Sequence, residues 1–128
     1  MRPTTREWVR KAENDFRAGG QLLRRRKGVV PDAVCFFCQQ CVEKYLKARL
    51  LEAGIAFPRT HDLRQLLNAC AQVEPLWSSY EKVMDALSNY AVDFRYPGHT
   101  ATLREARAAY KHCSSIRVEV RRALGLKT

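Results

Sequence analysis

The stretch PDAVCFFCQQCVEKYLKARLLEAG, residues 31–54, decides the fold. Pro31 suits the first turn of a helix, where its missing N–H is not needed, and Gly54 suits the end of one. At about 100° per residue, Val34, Cys38, Cys41, Val42 and Tyr45 fall on one arc. Gln40, Glu43, Lys44 and Lys47 lie opposite, at i, i+3, i+4 and i+7. Phe36, Leu50 and Leu51 share that polar side. A solvated face rarely mixes large apolar residues with its charges, so both faces are expected to meet something. One would meet a bundle core, and the other a second subunit or a ligand. The alternative is a snorkelling Lys/Glu surface with scattered apolar residues.

Working outward, the flanks are also helical. A first helix is expected from about Thr4 to Arg26, with Trp8, Ala12, Phe16, Gly19 and Leu22 at three- and four-residue spacing. Gly19-Gly20 lowers its propensity, which a closely approaching helix would explain. After residue 54, Thr60 is a candidate N-cap for a helix bearing Leu63, Leu66, Leu67 and Cys70. Pro75 suits the start of a fourth, with Leu76, Tyr80, Val83, Leu87, Tyr90, Ala91 and Phe94 inward. Pro97 disfavours helix at Tyr96 and stops it. Thr102 and Glu105 form a capping-box pair for a fifth helix carrying Leu103, Ala106, Tyr110, Cys113, Val120 and Leu124. No strand pattern competes. The expectation is an all-α, up-and-down bundle of about five helices in one domain, residues 1–128.

Twenty-three Lys and Arg against 13 Asp and Glu give a net charge of +10. Such a balance favours a polyanionic partner, RNA or nucleotide or an acidic protein. No run of apolar residues reaches the roughly 18 a membrane helix needs. The first residues lack the apolar core of a secretory signal, and five cysteines without one suit a cytoplasmic chain with free thiols. Cys35, Cys38 and Cys41 share a limited arc of one helix with no fourth ligand pattern nearby, so they read as small core residues. No metal and no cofactor is expected, and there is no Gly-rich phosphate loop.

Four segments in order, WVRKAENDF, CFFCQQCVEKYLKARL, THDLRQLL and FRYP, give the chain a resemblance to the HEPN domain family. The resemblance implies a helical bundle, usually dimeric, often encoded beside a minimal nucleotidyltransferase in a toxin–antitoxin-like pair. Many relatives are metal-independent RNases; others are regarded as nucleotide or RNA binders. The RNase signature pairs an arginine with a histidine across a longer interval than the three residues between Arg95 and His99 here. Phe37 stands where many relatives carry a histidine.

FRYPGH, residues 94–99, is therefore the expected site. Arg95 and Tyr96 would contact phosphate and base, with Gln40, Lys44 and Lys47 lining an anion-accepting groove on the second helix. In the RNase alternative, His99 would activate the 2′-OH and Arg95 would stabilise the phosphorane charge, across a homodimer. His61 reads as a hydrogen-bonding residue at a helix start.

Overall fold

A computed structural model describes residues 1–93 and 96–128, with side chains for 1–90 and 96–128. Among these residues the chain forms five α-helices: α1 (Pro3–Leu23), α2 (Pro31–Glu52), α3 (Leu63–Cys70), α4 (Glu81–Asp93) and α5 (Leu103–Ala123). A 3-10 helix, Pro75–Tyr80, leads into α4, and no strand is present among the described residues. The all-α expectation holds.

Helix α2 is the axis of the bundle and packs against α1, α3, α4 and α5. Its apolar residues therefore point several ways: Val34, Tyr45, Leu46 and Leu50 are all fully buried. This corrects the reading of its mixed face. Leu50 is covered within one chain, and Phe36 and Leu51 are half-buried, so a second subunit is not needed to explain them. Helix α1 runs antiparallel to α2, linked by Asp15 to Lys44 near its middle and by the Arg2 N–H to Glu52 near its start. At Gly19 the two helices meet at ordinary packing distance: a Cβ there would sit 3.4 Å from Phe37 Cβ. Helix α5 runs parallel to α2, with Cys113 against Cys38 and Arg121 against Tyr45.

The helix ends show where local signals sufficed. Thr102 and Glu105 form the reciprocal capping box that their spacing predicts. Helix α3, by contrast, is capped by Asp62, which accepts from the N–H groups of Arg64 (3.0 Å) and Gln65 (3.3 Å). Thr60 instead accepts from the Asp62 N–H just before the helix. Helix α1 ends at Leu23 rather than Arg26. Leu76, expected inward, is 87 % exposed. It lies on a 3-10 segment, whose three residues per turn rotate it away from the stripe a 3.6-residue helix would build. Leu103 is exposed as well.

Candidate functional site

The turn after α4 is built from its own sequence. Gly98 has φ +92°, a conformation open to glycine and strained for side-chain-bearing residues. It lets the His99 N–H donate to the Tyr96 carbonyl at 3.2 Å. The Ala101 N–H then donates to Asp32 Oδ1 at 2.6 Å, fastening the turn to the first turn of α2. Tyr96 is 64 % exposed and His99 is exposed beside it. Both present to solvent at one end of the bundle. Phe94 and Arg95 lie outside the described residues.

Gln40, Lys44 and Lys47 are not gathered at this turn. On a helix rising about 1.5 Å per residue they stand roughly 12 to 22 Å along α2 from Asp32. Their polar atoms are also engaged. Lys44 Nζ lies 2.5 Å from Asp15 Oδ2 on α1. Lys47, only 7 % exposed, donates to Glu43 Oε2 at 3.0 Å, and its ammonium sits 5.4 Å from the centre of the Trp8 ring. Glu43 thus pairs with a lysine one turn on, as their spacing predicts. The Gln40 amide donates to Gln39 Oε1 at 2.7 Å. Gln39 in turn donates to Glu43 Oε1 at 3.2 Å, so a connected polar strip runs along this face.

His61 closes the strip. Its Nδ1 is 2.9 Å from the same Glu43 oxygen, although its side chain is 82 % exposed while that of Glu43 is 4 % exposed. A buried carboxylate fixed by Gln39, Lys47 and His61 satisfies the demand that buried charge be paired and hydrogen-bonded. The hydrogen-bonding reading of His61 stands, with its partner on α2.

Sequence reasoning missed a second concentration of charge, between α1 and α5. Glu13 accepts from Arg117 at 2.6 and 3.0 Å and from Arg121 at 2.7 Å. Burial pushes the Glu13 carboxyl up, but Arg117, Tyr45 and Arg121 outweigh it and hold it below its ordinary value. Arg117 also lies over the Phe16 ring, which stacks on Tyr110 at 5.3 Å. The available signal was the four-residue spacing of Arg117 and Arg121. Their partner, 104 residues away from Arg117, was not visible.

Among the described residues no group of His, Cys, Asp and Glu could hold a metal ion, and no helix is long and apolar enough to cross a membrane. Cys35, Cys38 and Cys41 are buried with free thiols. Burial is the leading cause that pushes the Cys35 thiol up to about 12.

The profile of the HEPN domain family matches residues 5–123. The fold is similar to the crystal structure of TT1696 from Thermus thermophilus, with a TM-score of 0.78 at 21 % identity. That alignment covers 92 % of this chain and 96 % of the other. No curated protein matches the chain.

Proposed function

We propose that this chain, which belongs to the HEPN domain family, is a binding module for nucleotide or RNA. The observation that carries the reading is the exposed pair Tyr96 and His99, held beside α2 by the Asp32–Ala101 bond in a chain of net charge +10. An exposed aromatic ring can stack a base, worth about 1–3 kcal/mol where it forms. Arg95, next in sequence to Tyr96, supplies a forked donor for phosphate. Lys44 and Lys47 contribute only by exchanging Asp15 and Glu43 for a phosphate. Their replacement therefore affects stability more than affinity. Family membership supports a nucleotide- or RNA-related role. The homodimer, the cytoplasmic setting and the pairing with a minimal nucleotidyltransferase in a toxin–antitoxin-like system rest on resemblance and composition.

The second reading, a metal-independent RNase, is favoured by the solvent-facing His99 four positions after Arg95. Imidazole suits removal of the 2′-OH proton near neutral pH, and guanidinium suits the developing phosphorane charge. One experiment separates the two. Single-stranded RNA is incubated with wild type, Arg95→Ala, Tyr96→Ala and His99→Ala in the presence of chelator, and both anisotropy and cleavage are read. The binding module predicts no cleavage, with affinity lost in Arg95→Ala and Tyr96→Ala. Cleavage by wild type, abolished in both Arg95→Ala and His99→Ala, would establish the RNase instead. Affinity unchanged in all three variants would refute both. Light scattering at micromolar concentration is expected to give a dimer.

A further inference from the structure

The α1–α5 face carries a concavity of about 400 Å³, within the size range of small-molecule sites. It is lined by Arg17, Arg24, Arg117 and Arg121, with Tyr110 and a single carboxylate, Glu13. Four guanidiniums against one carboxylate leave three positive charges in excess. They divide into two kinds. Arg117 and Arg121 are held by Glu13, by Tyr45 and by the main-chain carbonyls of Thr128 and Lys127. They form a fixed wall. Arg17 and Arg24 are exposed, and neither has an ion-pair or hydrogen-bond partner for its side chain among the described residues. Gly20 leaves room on α1 for the Arg24 guanidinium and for Tyr110 of α5: a Cβ there would lie 2.9 Å from Arg24 Nη1 and 3.0 Å from the Tyr110 hydroxyl. A concave site lined by two uncommitted forked donors and two braced ones is complementary to a compact polyanion.

We infer that the α1–α5 cleft binds the polyphosphate group of a nucleotide-sized ligand, through Arg17 and Arg24 together with Arg117 and Arg121. The shape favours a compact ligand over an RNA strand, which needs a groove that follows its backbone. Glu13 sets the ceiling on charge: it neutralises one cation and leaves the rest for phosphate oxygens. Neither Tyr96 nor His99 lines this cleft, so the inference goes beyond the binding reading given above.

The test is calorimetric titration of the full chain at low salt with inorganic pyrophosphate, ATP and adenosine, for wild type and the double variant Arg17→Ala/Arg24→Ala. Pyrophosphate and ATP are expected to bind, adenosine not to bind, and the double variant to lose at least about tenfold in affinity for both anions. Its melting temperature should match wild type, because both side chains are exposed and hold nothing in the fold. Unchanged anion affinity in the double variant overturns the inference, as does the absence of binding at millimolar pyrophosphate and ATP. Adenosine binding as tightly as ATP overturns it too, since phosphate would then not be what is recognised. A double variant that loses affinity for single-stranded RNA but not for pyrophosphate would assign the cleft to RNA and overturn the small-ligand claim. Tyr96→Ala provides the independent control: it should leave pyrophosphate affinity unchanged while lowering RNA affinity, so the two sites fail separately.

Discussion

Glu13→Ala tests how α1 is held to α5. The carboxylate receives four guanidinium bonds of 2.6 to 3.1 Å from Arg117 and Arg121. The side chains of Glu13, Arg117 and Arg121 are 21 %, 18 % and 16 % exposed. The cluster therefore lies between a surface pair, worth about 0–1 kcal/mol, and a buried one, whose disruption costs about 3–5 kcal/mol. A loss of about 2–3 kcal/mol follows, most of it from two guanidiniums left facing each other without a counter-charge. With an unfolding entropy of about 2.1 cal/mol/K per residue, the 128-residue chain loses roughly 0.27 kcal/mol per degree, which gives a fall of about 7–11 °C. The pH dependence adds a second constraint. Burial raises the Glu13 carboxyl, but its arginine and tyrosine partners bring it below the ordinary value of 4.5. A depressed folded value means the stabilisation is present above about pH 4.5 and disappears as pH falls through the folded value. Thermal melts of wild type and variant should differ fully at pH 7 and converge as acid protonates Glu13. A double-mutant cycle with Arg117→Ala should show coupling. A loss under about 0.5 kcal/mol at pH 7, or a difference that persists unchanged in acid, would refute the reasoning.

Thr102→Ala removes the reciprocal cap of α5 and should cost about 1 kcal/mol, read as a lower urea midpoint. Gly20→Ala should destabilise by about 1 kcal/mol, because overpacking against Tyr110 outweighs the gain in helix propensity. Gly19→Ala, whose Cβ meets only ordinary contact, should be neutral or better in the same melts. The buried thiols should resist an aromatic disulfide reagent in the native state and react only at the rate of opening. Because burial drives Cys35 and Cys70 up to about 12 from 9.0, stability should fall as pH rises from 9 toward 12. Cys35→Ala should flatten that fall in urea titrations.

Much of the architecture was legible because it is written in local chemistry. Thr102 and Glu105 announced a helix start, Pro31 another, and Gly19-Gly20 announced a close neighbour. The choice between Thr60 and Asp62 as the α3 cap was not local: both side chains suit the role, and the rest of the loop decides which one faces the free N–H groups. The mixed face of α2 was visible, but periodicity reports that a face is covered and not by what. Four helices of the same chain supplied the cover. The site was harder still. Lys44 reads as an available cation until α1 places Asp15 against it, 29 residues away in sequence. Arg17 and Arg24 stand two turns apart on α1, a stripe with no meaning until α5 sets Arg117 and Arg121 across from it.

The single bond from Ala101 to Asp32 bridges 69 residues and sets the leash on the turn that bears Tyr96 and His99. Its far end is clamped at the head of α2, so the turn from Tyr96 to Thr100 is anchored on that side. In the binding role proposed above, a movement of Tyr96 toward a base would load that clamp. Cutting it with Asp32→Ala lengthens the leash without touching a single residue of the turn. Reach and aim would then trade against each other: the ring sweeps a wider volume and spends less time pointing in any one direction.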